Sequence, residues 1–140
     1  MRGLAQLAKI KNAKVEELQK ALQKTLVELS AKEKALEILQ NEAAAAREPS
    51  SGSFGDLRNF ETDRAIRRFE IKSAQKEIFA IHQKAFQLRF HLKRALIDYE
   101  KINHLDKERQ AAIALSAKIS ESKRLDDTAI NARYILKSGR

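Results

Sequence analysis

Between Ile71 and Ile102 the apolar residues repeat in sevens. Ile71, Ile78, Ala85, Leu92 and Tyr99 occupy one position, and Ala74, Ile81, Leu88, Ala95 and Ile102 lie three residues further on. No polar residue interrupts this seam. Its spacing is that of a coiled coil, in which two positions of every seven face a partner helix. A helix with such a stripe needs cover along its length, and the chain supplies it upstream. From about Gly3 to Glu48 the same repeat places Ala8, Val15, Leu22, Leu29, Leu36 and Ala43 at one position. Leu4, Lys11, Leu18, Thr25, Lys32, Leu39 and Ala46 take the other. Lys11, Thr25 and Lys32 weaken this second seam, although a lysine stem can lie along apolar surface with its ammonium in water. Polar seam positions also discourage higher-order association.

The pattern predicts a single domain over residues 1–140, with a helix over 3–48, a turn over 49–56 and a helix over 57–137. Pro49 stops the first helix because it has no N–H to donate and disfavours helical geometry at Glu48. Residues 49–55 hold the chain's one cluster of Pro, Ser and Gly. Asp56 is the expected N-cap, and Leu57 and Phe60 pick up the frame that continues to Ile71. Arg64 and Arg67 fall on that frame, so the turn-proximal end should be looser than the centre.

A connection of about seven residues makes the helices antiparallel neighbours. Folding about it brings Leu36 near Ile78, Leu29 near Ala85, Leu22 near Leu92 and Val15 near Tyr99. The second helix is the longer, so about thirty residues from Asn103 onward should overhang the start of the first. There the frame is expected to break. Asp106, Arg109 and Ser116 stand where the seam should continue, while Leu105, Ala112, Leu115 and Ile119 follow a shifted frame. The fold class expected is all-α: a long antiparallel two-helix coiled-coil hairpin with an overhanging C-terminal helix.

Composition supports this reading. Aromatics make up 6% and charged residues 34%, with one Pro and no Trp, a profile of long helices rather than a thick core. The absence of Cys excludes a disulfide framework and any thiolate site. No window resembles a secretory signal or a membrane span, so a cytoplasmic protein is expected. The net charge of +9 is uneven: residues 1–48 carry +2, 49–63 carry −2 and 64–140 carry +9. A basic helical protein can meet an acidic protein, nucleic acid or anionic lipid, and charge alone does not choose among them.

Catalytic and cofactor chemistry finds no foothold. His82, His91 and His104 are nine and thirteen residues apart, so no two share a helix face at metal-ligand spacing, and no metal is expected. Gly52 and Gly55 lack the Gly-Lys-Ser/Thr ending of a phosphate loop. A two-helix hairpin has no concave pocket for a nucleophile and its base, so neither an enzyme nor a cofactor is expected.

One feature exceeds what a hairpin needs. Phe79, Phe86, Phe90 and Ile97 form a second stripe on the side of the helix away from the seam, amid Lys76, Lys84, Arg89, Lys93 and Arg94. It is a docking face for another protein, or else a shift of the first helix or a homodimer covers these rings. Near the C-terminus, Lys118, Lys123 and Arg124 precede Asp126 and Asp127, and Ile130, Arg133, Tyr134, Ile135 and Lys137 follow. That mixture also reads as a contact surface, with Arg124, Ile130, Arg133, Tyr134 and Lys137 as candidate binding residues.

Several of these features together resemble a known family. Residues 51–69, SGSFGDLRNFETDRAIRRF, and the ending through Leu105, Arg109, Leu125, Asp126, Ala129 and Arg133, with its L-D-x-x-A, are similar to the FliJ family of flagellar type III export proteins. A more distant likeness is to the YscO-like injectisome proteins. The resemblance implies a cytoplasmic, non-enzymatic stalk-like component at the inner-membrane face of the flagellar base. Its joined termini would enter the hexameric export ATPase and promote its assembly or turnover. Its turn-proximal part would contact the export-gate membrane protein and export chaperones. Several of the family's aromatic positions early in the second helix are here Asp63, Arg64 and Arg67, so its gate contacts are not carried onto individual residues.

Other classes remain as alternatives: a generic basic coiled-coil adaptor, a nucleic-acid binder or an anionic-membrane binder. Nucleic acid is not expected, because the seven-residue patterning of the helices gives no recognition element.

Overall fold

The computed structural model describes residues 2–50 and 52–138 and contains two α-helices, α1 (Arg2–Ala45) and α2 (Phe54–Ser138). They pack against each other as a hairpin with no strand among the described residues. The chain divides into two compact units, Lys14–Ala95 around the turn and Met1–Ala13 with Leu96–Arg140.

Both helices begin and end where local chemistry dictates, and both turn boundaries lie three residues earlier than the sequence pattern predicts. A helix continued to Glu48 would put Glu48 in the geometry that Pro49 disfavours and drive the Pro49 ring toward the Ala45 carbonyl, so α1 stops at Ala45. One further helical bond survives, from the Ala46 N–H to the Glu42 carbonyl at 3.1 Å. The start of α2 is set by Ser53 rather than by Asp56. The Asp56 N–H lies 3.4 Å from Ser53 Oγ, and the Ser53 N–H donates to Asp56 Oδ2 at 3.2 Å. This reciprocal pair is a capping box with Asp56 at its third helical position, where its charge also suits the positive end of the helix.

In the Lys14–Ala95 unit the antiparallel register is visible in three cross-helix contacts. Lys32 Nζ lies 3.2 Å from Glu77 Oε2, His82 Nε2 3.5 Å from Glu33 Oε1, and Arg67 Nη1 donates to the Glu42 carbonyl at 3.3 Å. Between them runs the seam. Val15, Leu29, Ile81 and Ala85 are buried, and Leu18, Leu22, Leu36, Leu39, Ile71, Ala74, Ile78, Leu88, Leu92 and Ala95 are half-buried. Thr25 is only 2% exposed, and its hydroxyl donates to the Ala21 carbonyl of its own helix at 2.8 Å. The polar seam residue thus carries its own acceptor with it. Lys32, by contrast, is exposed and turns to Glu77.

In the second unit the seam runs further than expected and does not change frame. Ala8 is buried, Leu4, Lys11, Tyr99, Ile102 and Asn103 are half-buried, and Asp106 is 7% exposed. Arg109 follows it, half-buried, whereas Leu105, Ala112, Leu115 and Ile119 are exposed. The frame therefore passes through Asp106 and Arg109 instead of shifting around them. The burial is tolerable because the carboxylate is satisfied: Arg109 Nη2 donates to Oδ1 at 3.2 Å and Gln110 Nε2 to Oδ2 at 3.1 Å. Arg109 Nε is buried with no partner among the described residues, so the cluster is only partly satisfied. From Ala111 to Lys137 every residue of α2 is exposed, which moves the start of the overhang from about Asn103 to Gln110.

Two substitutions should separate satisfied from interdependent polar burial. Thr25→Val removes a hydroxyl and its local bond together and should leave stability unchanged or raise it by up to about 1 kcal/mol. Asp106→Ala strands the half-buried Arg109 and should cost about 2 kcal/mol in urea unfolding. Ser53→Ala, which removes the capping hydroxyl, should cost about 1 kcal/mol in the same measurement.

Candidate functional surfaces

The hairpin presents surfaces rather than an enclosed site. Seven-residue spacing that buries one stripe of α2 forces Phe79, Phe86 and Phe90 onto another, and they are 65%, 69% and 52% exposed. They belong to the Lys14–Ala95 unit, whereas Ile97, 43% exposed, falls in the other. The rings are not bare. Arg94 holds its guanidinium carbon 5.7 Å from the Phe90 centroid, within cation–π range. His91 meets the same ring edge-on, with centroids 5.8 Å apart. At the other end of the stripe, Lys72, Gln75, Lys76 and Phe79 line a shallow groove of about 320 Å³.

Arg124, Ile130, Arg133, Tyr134 and Lys137 lie together on the exposed stretch of α2 beyond Gln110. Leu125, Ile130, Tyr134, Ile135 and Leu136 all leave most of their surface in water. The backbone there is an ordinary helix, in which the Thr128 hydroxyl donates to the Arg124 carbonyl at 2.8 Å.

A third surface was not anticipated from the repeat pattern. At the turn end of the Lys14–Ala95 unit, a cleft of about 580 Å³ opens between the helices, and Arg47, Arg64, Arg67 and Arg68 line it. It exists because α1 ends in alanines. Ala43 and Ala46 present almost no side chain to α2, and Phe60 closes one side. Arg67 does not merely interrupt the seam. It is half-buried and reaches across to the Glu42 carbonyl, adding a cross-helix bond to an oxygen that already accepts from the Ala46 N–H at the end of α1. The register expected from the sequence sets the alanine run 43–46 opposite residues 68–71, so of the cleft's arginines it brings only Arg68 to face the alanines.

Among the described residues no three His, Cys, Asp or Glu side chains converge as a metal site would require, and no helix is long and apolar enough to cross a membrane. The geometry defines a class: an all-α helical hairpin. The chain belongs to the FliJ family, since the family described as "Flagellar FliJ protein" matches residues 1–137. No curated protein and no solved structure matches it. The family is a non-catalytic component of the flagellar export apparatus, so this protein belongs to flagellum biogenesis and protein export, with protein partners in that apparatus.

The exposure of the aromatic stripe has a direct consequence for stability. Replacing Phe79, Phe86 and Phe90 with Ser should move the urea midpoint little, by about 0.5 kcal/mol or less per site, because none of the three supports the seam.

Proposed function

We propose that this protein acts as the stalk-like component of the export apparatus, binding the export ATPase hexamer through the C-terminal part of α2 and promoting its assembly and turnover. The observation that carries the reading is the uncovered stretch Ala111–Lys137, a solvent-exposed helix bearing apolar residues that the hairpin itself does not use. A helix exposed on all sides is suited to insertion into a ring, where surrounding subunits cover Ile130 and Tyr134 while Arg124, Arg133 and Lys137 meet acidic groups. The aromatic stripe at Phe79, Phe86 and Phe90 serves a second partner, an export chaperone or the gate protein. Basic residues around it disfavour a second copy of this basic chain. In this reading the protein works in the cytoplasm at the inner-membrane face of the flagellar base.

Titration of the purified protein into the export ATPase of the same organism tests the proposal, with hexamer formation and hydrolysis followed together. Both should rise and saturate at a single copy per hexamer, and both should be lost on deletion of residues 121–140. The double reversal Arg124→Glu, Arg133→Glu should weaken binding by about tenfold or more, equivalent to about 1.4 kcal/mol. Unchanged binding by that variant would remove these arginines from the interface, and a deletion variant that still raised hexamer formation and hydrolysis would remove the stalk reading.

A further inference from the structure

The arginine-lined cleft at the turn end takes no part in the ATPase reading and does not depend on it. Further from the turn in the same unit, two side chains find an acidic partner across the helices: Lys32 with Glu77 and His82 with Glu33. Among the described residues, the arginines of the cleft do not. Arg67 is occupied by the Glu42 carbonyl, but the guanidinium groups of Arg47, Arg64 and Arg68 make no ion pair or hydrogen bond among the described residues. Glu48 and Asp63 also line the cleft, which leaves it with two more cations than anions.

Planar guanidinium groups that line one cleft, Arg64 and Arg68 from α2 and Arg47 from the connection after α1, are suited to carboxylate or phosphate oxygens. Two observations choose between those ligands. The cleft, at about 580 Å³, is far larger than a lone phosphate needs, and part of its wall is the apolar surface of Ala43, Ala46 and Phe60. It therefore suits a stretch of chain with acidic and apolar side chains together. A lipid surface is disfavoured because Asp56, Glu61 and Asp63 surround the tip, giving residues 49–63 a charge of −2, and because a cleft between two helices is concave. We propose that this cleft binds an acidic, partly apolar segment of a partner protein, with Arg64 and Arg68 gripping its carboxylates and Ala43, Ala46 and Phe60 receiving its apolar side chains.

The test uses the full-length protein and a fluorescein-labelled peptide of alternating glutamate and leucine, with fluorescence anisotropy as the readout. Saturable binding is expected, weakening as salt rises. The variant Arg64→Glu, Arg68→Glu should lose about tenfold or more in affinity, about 1.4 kcal/mol, while Lys9→Glu, Lys20→Glu, with the same change in net charge, should lose less than about twofold. Ala46→Leu fills the cleft without altering charge and should weaken binding as well. Circular dichroism should show all three variants fully helical, since none of the altered side chains makes a hydrogen bond or ion pair. Equal losses in the two charge variants, or full binding by Ala46→Leu, would overturn the proposal in favour of diffuse attraction. So would absence of peptide binding combined with Arg64- and Arg68-dependent binding to phosphatidylglycerol vesicles or inorganic phosphate. None of these readouts involves the ATPase, so the two proposals fail separately.

Discussion

Every feature of this protein follows from the fact that each helix has one neighbour. In a bundle, a core side chain is enclosed by several helices. Here a seam residue is covered from one side only, and among the described residues no large side chain is completely buried. Full burial of a Leu or Ile contributes roughly 1.5–3 kcal/mol, and partial burial proportionately less. Stability must therefore be accumulated along length, through many half-buried residues in a register that cannot slip. That explains why the repeat persists from Leu4 to Ala43 on α1 and from Phe60 to Arg109 on α2. It also explains the sparing use of aromatics in the seam, where small residues such as Ala85 let the helices approach closely.

The same constraint governs how polar residues enter the seam. Thr25, near the centre of α1, is buried at no cost to its hydroxyl because the acceptor lies one turn back in the same helix. Asp106 is a different solution, in which three side chains of one helix, Asp106, Arg109 and Gln110, depend on each other. Such a cluster contributes less to stability than an apolar seam would, but it fixes where the paired region ends. Beyond it α2 continues with no cover, and its apolar residues no longer follow the seam alone.

The seam was legible in the sequence because burial there depends on spacing along one helix, and seven-residue spacing survives without knowledge of the partner. Turn boundaries were less legible. Asp56 is a good N-cap by residue type, and only the geometry showed that Ser53 takes that place with Asp56 as its partner. The frame through Asp106 and Arg109 was misread for a related reason: apolarity served as the marker of burial, and a carboxylate satisfied by its own helix escapes that marker. The aromatic stripe was visible as a surplus over the seam. The arginine cleft was not, because it is a property of two segments at once. Neither the alanines of 43–46 nor the arginines of 64–68 are unusual alone, and only the register about the turn sets them face to face.

That juxtaposition explains why the turn-proximal seam is weak. Apolar residues at positions 64 and 67 would have extended the seam to the last turn of α1 and closed the space above Ala43 and Ala46. Arginine does the reverse. Its long stem reaches over the gap, and Arg67 ties α2 to the Glu42 carbonyl across it, so the hairpin closes without a packed contact at its tip. A paired region with a firm centre and an open, charged end can lose its outermost contacts without losing register, because Lys32–Glu77 and the buried residues Leu29, Ile81 and Ala85 lie further in. The surfaces proposed for binding are thus where the seam is absent or incomplete: along the outer face of α2, beyond its paired length, and at the turn.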